Sequence, residues 1–257
     1  MTLRIYSYNV NGIRAAMSKG LVEFLGKDQP DIVCFQETKA SPEQIETGLF
    51  ESLGYHHYWY SAEKKGYSGV GILCKNKPDQ VVYGMNKEEY DREGRFLRAD
   101  FGPVSVISVY HPSGTSGEER QAFKMQWLEY FQNYINRLRE ERPHLIISGD
   151  YNIAHTKIDI HDPVGNAGNS GFLPEERQWV SDFLKEGYVD SFRAIHPDAR
   201  DLYSWWSYRF SARSKNKGWR IDYHMTTESL RDKIKDADIL TNIVHSDHCP
   251  ISITLDI

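Results

Sequence analysis

No apolar run in the 257 residues approaches the roughly 18 that a helix needs to cross a bilayer, which excludes a helical membrane span. The start, Met1-Thr2-Leu3-Arg4-Ile5-Tyr6, lacks the basic residues and long apolar stretch of a signal peptide and enters a strand-like pattern directly. Cysteine is scarce. Cys34, Cys74 and Cys249 are odd in number, far apart and form no CxxC pair, which excludes a disulfide framework and a cysteine zinc site. They read as buried thiols in a reducing compartment. No Ser/Gly/Pro tract or charge block divides the chain, so one domain is expected over residues 1–257. Basic charge is also short: 31 Lys and Arg face 36 Asp and Glu, a formal net charge of −5. Global attraction to a polyanion is excluded, and nucleic-acid binding would need a local basic patch. Gly66-Tyr67-Ser68-Gly69-Val70-Gly71 is glycine-rich but has no Gly-Lys-Ser/Thr. It reads as a close-packed turn into a strand, not a nucleotide phosphate loop.

What the chain does have is aromatic and apolar material for a large core, with 40% apolar residues, six Trp and sixteen Tyr. Strand-like runs cover residues 4–10, 31–36, 70–75, 95–101, 104–110, 144–149, 219–226 and 251–257. Ile32-Val33-Cys34-Phe35 and Leu145-Ile146-Ile147 are continuously apolar, as in strands covered on both faces. The spacing of Phe123, Trp127, Phe131, Tyr134, Ile135 and Leu138 predicts a helix over Glu118–Glu141, with Pro143 as its stop. Pro174-Glu175-Glu176 marks a second helix start, and Gly187 its end. Neighbours such as 95–101 and 104–110 predict antiparallel pairs, so a mixed-sheet α/β sandwich fits better than a parallel barrel.

The chemistry lies where the strands end. Asn9-Val10-Asn11, Gln36-Glu37-Thr38-Lys39 and Gly149-Asp150-Tyr151-Asn152 close three of the runs. Arg220-Ile221-Asp222 and Ser246-Asp247-His248 lie near the C-terminus. One such acid is unremarkable, since Asp and Asn form caps and turns. Five groups sharing one sheet edge would line a crevice, where α/β folds place ligands. Asp, Glu and Asn are hard oxygen ligands and favour Mg²⁺ or Mn²⁺ over zinc. Glu37 is the first candidate ligand, with Asp247 and Asn11 next. Asp150, Asn152 and His248 could orient and activate a water, which suits phosphoester hydrolysis. The segment 205–222 supplies the missing basic patch. There Arg209, Arg213, Lys215, Lys217 and Arg220 interleave with Trp205, Trp206, Tyr208, Phe210 and Trp219, and only Asp222 opposes the charge. Such a segment neutralises phosphates and stacks on bases.

In this order the motifs Asn9-x-Asn11-Gly12-x-Arg14, Gln36-Glu37-Thr38-Lys39, Tyr67-Ser68-Gly69-Val70-Gly71, Gly149-Asp150-x-Asn152, Trp219-Arg220-x-Asp222-Tyr223 and Ser246-Asp247-His248-x-Pro250 resemble the exonuclease III family of abasic-site DNA repair endonucleases. That family lies within the endonuclease/exonuclease/phosphatase superfamily. Gly165-Asn166, Asn169-x-Gly171-Phe172-x-Pro174-x-Glu176-Arg177 and Asn216-x-Gly218-Trp219 resemble its abasic-endonuclease branch more closely still. The resemblance implies a four-layer α/β sandwich, with two mixed, mostly antiparallel sheets face to face and helices outside. It implies Mg²⁺-dependent hydrolysis 5′ to an abasic site in double-stranded DNA, leaving a 3′-hydroxyl, with 3′-phosphatase, 3′-phosphodiesterase or 3′→5′ exonuclease activity on blocked ends.

Roles follow by matched motif. Glu37 is implied as main metal ligand with Asn11 and Asp247 nearby. Asp150 would orient or deprotonate the water, and Asn152 hold it or the phosphate. His248, oriented by Asp222, would donate to a phosphate oxygen. Tyr110 would contact the phosphate or leaving group, and Asn9 hold the network. Trp205, Trp219 and Tyr208 would wall the abasic sugar, and Arg209 would enter the minor groove. Arg14, Lys39, Asn166, Asn169 and Arg177 complete the expected DNA face. Two departures bear on substrate preference. Asn11 stands where some relatives carry Asp, and Ser113 and Ser116 stand where relatives can carry Asn or Gln and then Arg. A mainly 3′-end-processing enzyme is therefore the alternative reading, and a non-catalytic DNA-binding module a lesser one. The start at the first strand, without a basic extension, implies a bacterial cytoplasmic protein, and the reading takes it as a monomer.

Overall fold

A computed structural model describes residues 2–257. Its strands are β1 (Thr2–Asn9), β2 (Ile32–Gln36), β3 (His56–Tyr60), β4 (Val70–Cys74), β5 (Gln80–Tyr83), β6 (Phe96–Phe101), β7 (Val104–Tyr110), β8 (His144–Asp150), β9 (Tyr188–Asp190), β10 (Asp222–Thr227), β11 (Ile234–Ile239) and β12 (Ile251–Asp256). The α-helices are α1 (Ile13–Ser18), α2 (Leu21–Asp28), α3 (Gly48–Ser52), α4 (Glu88–Asp91), α5 (Glu118–Glu141), α6 (Pro174–Lys185) and α7 (Ser191–Ile195). Among the described residues no helix is long and apolar enough to cross a membrane.

The strands form two six-stranded sheets, in the orders β11-β12-β1-β2-β4-β3 and β5-β6-β7-β8-β10-β9. Each contains one parallel pair, β1–β2 and β7–β8, among antiparallel ones. Ile5, Cys34, Ile72 and Ile253 of the first sheet share a buried core with Leu97, Val106 and Ile146 of the second, so the sheets pack face to face. The outer face of the first, through Tyr8, Val33 and Phe35, packs on Ile13, Ala16, Leu21 and Leu25 of α1 and α2. The outer face of the second, through Ile107, Val109 and Ile147, packs on Trp127, Phe131, Trp179 and Phe183 of α5 and α6. This is the expected four-layer sandwich. The three cysteines are free and buried, as the sequence implies.

Strand alternation decides which residues reach the site. Side chains two apart share a face. Ser7 and Asn9 therefore follow Ile5 on the inner face of β1, and Gln36 follows Cys34 on β2. Ser108 and Tyr110 follow Val106 on β7, and Ser148 and Asp150 follow Ile146 on β8. On β10, Asp222 and His224 alternate with the outward Tyr223 and Met225. The space between the sheets thus grades from apolar to polar toward one edge. Gln36 Nε2 donates to Ser108 Oγ at 3.1 Å across the sheets, and Ser148 Oγ lies 2.7 Å from His224 Nδ1. These bonds form a satisfied polar floor beneath the site.

Two sequence expectations are corrected. The run 219–226 becomes a strand only from Asp222; Trp219 instead bridges to Trp205 and Ile160. Strands β3, β5, β9 and β11 are absent from the sequence reading, and all four lie at sheet edges. The glycine-rich turn behaves as read: Gly69 has φ 88°, and a Cβ there would stand 2.3 Å from Thr38 Oγ1.

Candidate active site

Register places Tyr110, Asp150 and Asp222 side by side on the second sheet. Asn9 faces them from the first. Its Nδ2 donates to Asp150 Oδ2 at 2.8 Å and to Glu37 Oε1 at 2.9 Å, so one amide ties the sheets across the site. His248 arrives from the loop before β12. Its Nδ1 stands 2.8 Å from Asp222 Oδ2, and its Nε2 lies 3.8 Å from Asp150 Oδ2. Ser204 Oγ donates to the same Asp222 oxygen at 2.6 Å, holding the carboxylate against the imidazole. Asn152 donates its backbone N–H to Asp150 Oδ1 at 2.8 Å and its Nδ2 to His111 O at 2.9 Å.

The charges are unequal because the neighbours are. Burial, then the carboxylates of Asp222 and Glu37, push Asp150 up to about 7 against the pull of His248. Burial alone would lower His248, but Asp222, Asp150 and Asp247 outweigh it and raise the imidazole to about 10. Burial would likewise raise Glu37, yet Lys39, the Asn9 amide and His248 hold it below the usual carboxylate range. Asp247 is also held low, as His248, Asn11 and Trp205 outweigh its burial. Burial and the charge of Glu37 keep the Tyr110 phenol protonated well above its ordinary range. Near neutral pH the site thus holds an imidazolium, a neutral phenol and a carboxyl group poised to take a proton.

The oxygen set fits a hard cation. Glu37 Oε2 lies 2.7 Å from Lys39 Nζ, and Asn11 Oδ1 accepts from the same ammonium, so these two oxygens already converge on one positive charge. Asn11 Nδ2 joins them to Asp247 Oδ1 at 2.9 Å. Glu37, Asp150 and His248 form a second grouping, with ligand atoms within 4.8 Å of one another. A cationic His248 has no lone pair to offer, which favours the first grouping for metal and the second for proton chemistry.

A cleft of about 690 Å³ opens from these groups, walled by Trp205, Trp219, Ile221 and Leu173. The two indoles meet edge to face at 6.0 Å, and Trp205 Nε1 donates to Asp247 Oδ2 at 3.1 Å. Asn169 lines the cleft, held by Asn166 Oδ1 at 2.8 Å. Asn166 itself turns its amide to His161 O and Asp162 O. Arg177 stacks 4.5 Å from the Phe172 ring and donates to His155 O, away from the cleft lining. Arg14, Tyr208 and Arg209 are exposed.

The basic segment is smaller than its sequence implies. Arg220 is buried and bridges Asp159 and Asp190, both at 2.7 Å. Arg213 clamps the backbone oxygens of Ser246, Thr241 and Ile243 and stacks on Trp206. Arg209, Lys215 and Lys217 remain exposed. Phe210, named in the sequence only as one of the aromatics of this segment, is 87% exposed in a left-handed conformation at φ 59°. Sequence reasoning missed a buried ion pair, Lys124–Glu176, behind Asn152. The signal was a lysine three residues before Trp127, inside the apolar stripe of α5.

A buried acid, an imidazolium oriented by a second acid, and a hard-oxygen pocket at the mouth of a two-sheet sandwich define a phosphoester hydrolase. The chain belongs to the endonuclease/exonuclease/phosphatase family, whose model matches residues 6–248. It is similar to the exodeoxyribonuclease of Bacillus subtilis (strain 168), 44% identical over 256 residues, covering 99% of this chain and all of that protein. The structure of an AP endonuclease from Archaeoglobus fulgidus superposes with a TM-score of 0.90 at 32% identity, covering 99% of this chain and 100% of the other. A 3′ phosphatase from Neisseria bound to product DNA hairpin superposes with a TM-score of 0.92 at 26% identity, again covering 99% and 100%.

Proposed function

We propose that the chain hydrolyses the phosphodiester 5′ to an abasic site in duplex DNA, working as one monomeric domain over residues 1–257. It is a DNA repair nuclease of the AP endonuclease and exodeoxyribonuclease kind. The observation that carries the reaction is the facing of Asp150 and the Asp222–His248 pair at the head of the cleft, 3.8 Å apart. Asp150, poised near 7, takes the proton of a water that attacks phosphorus. The phosphorus–oxygen bond to the upstream 3′-oxygen breaks, and that oxygen takes a proton from solvent water to leave a 3′-hydroxyl. His248, as imidazolium, donates a hydrogen bond to a phosphate oxygen. Tyr110, as neutral phenol, donates to the phosphate or the departing oxygen. Glu37, Asn11 and Asp247 would hold Mg²⁺ or Mn²⁺, which supplies positive charge against the developing oxyanion. Trp205 and Trp219 form an apolar wall against which a sugar without a base fits. Removal of blocked 3′ ends belongs to the same reading, supported by the likeness to the 3′ phosphatase. So does a bacterial cytoplasmic location, supported by the likeness to the Bacillus protein.

The test uses one duplex with a single central abasic analogue and a second with a recessed 3′-phosphate, each assayed with Mg²⁺ and with EDTA. Incision of the first is expected to need the metal and to fall about 10²–10³-fold in Glu37→Ala. Processing of the 3′ end alone would make this a 3′-repair nuclease and direct attention to the Ser113 loop.

A further inference from the structure

Behind the reacting groups lies a pair that meets them only through the backbone of Asn152. The side chains of Lys124 on α5 and Glu176 on α6 have no exposed surface, and Lys124 Nζ stands 2.5 Å from Glu176 Oε1. Lys124 Nζ also donates to the backbone oxygen of Asn152 at 2.8 Å. Glu176 Oε2 accepts the backbone N–H groups of Gly171 at 2.6 Å and Leu173 at 3.0 Å. Gly171 O in turn accepts from Ala154 N at 2.8 Å. One ion pair thus joins the turn at residues 152–154 to the turn at residues 171–173, and Asn152, Gly171 and Leu173 all line the cleft.

Both turns need holding. Asn152 sits at φ 51°, a left-handed conformation that a residue with a side chain adopts only at a cost. Its N–H is held by Asp150, its amide by His111 O, and its carbonyl by Lys124. Gly171 sits at φ 94°, and a Cβ there would stand 2.9 Å from Trp219 Cζ3 and 3.1 Å from Asn152 O. The pair therefore sets Asn152 against Asp150 on one side and against the indole wall on the other. Stability alone does not call for two charges here. Their attraction only partly restores the hydration they lose, and apolar side chains of similar volume are often as stable. What an apolar pair could not provide is three directed bonds to the backbone of two turns.

We propose that Lys124 and Glu176 are positioning residues for the cleavage step, holding Asn152 and the Gly171–Leu173 wall in register with Asp150. The proposal rests on Asn152 acting at the scissile phosphate. Its test compares steady-state cleavage of the abasic duplex by wild type, Lys124→Met/Glu176→Gln, Asn152→Ala and the triple variant, with thermal unfolding as the check on folding. The double variant leaves no lone buried charge, and the glutamine oxygen still accepts from the backbone. Its kcat is expected to fall about 10- to 100-fold, with KM within about threefold of wild type. Because the pair acts through Asn152, the triple variant should be no more than about threefold slower than Asn152→Ala alone. If the double variant does not fold at the assay temperature, Glu176→Gln replaces it, with an expected fall in kcat of about fivefold and the same non-additivity. An unchanged kcat in a folded variant, a change in KM only, or full additivity with Asn152→Ala would overturn the proposal. If Asn152→Ala is itself unaffected, the reading of Asn152 fails and the positioning role fails with it. If Asn152→Ala is slow and the pair variant is not, the positioning role alone fails.

Discussion

A single carboxylate, Asp222, is the strongest charged influence on the two groups that the proposed reaction uses. Its charge is the largest influence raising His248, and after burial the largest raising Asp150. Activity should therefore rise with pH through about 7, as Asp150 loses its proton, and fall through about 10, as His248 loses its own. Asp222→Asn removes one negative charge from beside both groups. Both limbs of the kcat/KM profile should then move to lower pH, the alkaline one by about one unit or more. An alkaline limb that stays in place would show that another group donates to the phosphate. The residue types at the strand ends were legible in the sequence. Which acid stands beside which was not, because Asp150 and Asp222 meet by strand register and His248 joins them from the loop before β12.

At the scale of elements, the central strands announce themselves and the edges do not. Strands β1, β2, β7 and β8 are buried on both faces and carry runs such as Ile32-Val33-Cys34-Phe35. Edge strands β3 (HHYWY), β5 (QVVY), β9 (YVD) and β11 (IKDADI) are short or carry charge and polar groups. Such composition protects an exposed edge from further pairing and also erases the apolar signal. The 205–222 segment shows the opposite error, since sequence alone overstates its free charge. Arg213 and Arg220 are spent inside the fold, where they hold loops together. The exposed tip instead presents Arg209 and Phe210. Phe210→Ala should weaken duplex binding by about 1 kcal/mol or more, the order of one lost aromatic–base contact, while leaving the unfolding temperature unchanged because the ring is 87% exposed. Fluorescence anisotropy with Asn152→Ala as a slow-turnover background would measure the affinity. Unchanged affinity would show that the tip does not meet DNA.

Across the whole molecule, buried neutral histidines should set the acid limit of stability. His111 lies among Tyr151, Trp127, Phe131 and Trp179, and neither ring nitrogen has a hydrogen-bond partner among the described residues. Burial holds its pKa well below the ordinary value, and burial holds His224 at about 4. Between pH 6.5 and 4 the unfolded chain binds protons at both sites that the folded chain refuses, so stability falls as pH falls. Asp150 acts in the other direction over this range, because the folded state binds its proton more tightly. His111→Phe keeps an aromatic ring in the cage and removes one proton site. It should flatten the loss of stability between pH 6.5 and 5 by about 2 kcal/mol, measured by urea unfolding at the two pH values. An unchanged slope would place the acid lability elsewhere.

The sequence by itself determined the strand-end chemistry, the length and stripe of α5, the free cysteines and the absence of a helical membrane span. Each is a property of local spacing and side-chain type, which the chain carries whether folded or not. Only the tertiary structure decided that Asn9 bridges the sheets to Asp150 and that Lys39 shares the oxygens of Glu37 and Asn11. It likewise decided that Lys124 and Glu176 stand behind Asn152. Apart from Lys39 and Glu37, which are two positions apart, these contacts join residues 28 to 141 positions apart. Their geometry depends on strand register and on how two sheets and their helices stack, and neither is written in any one stretch of chain.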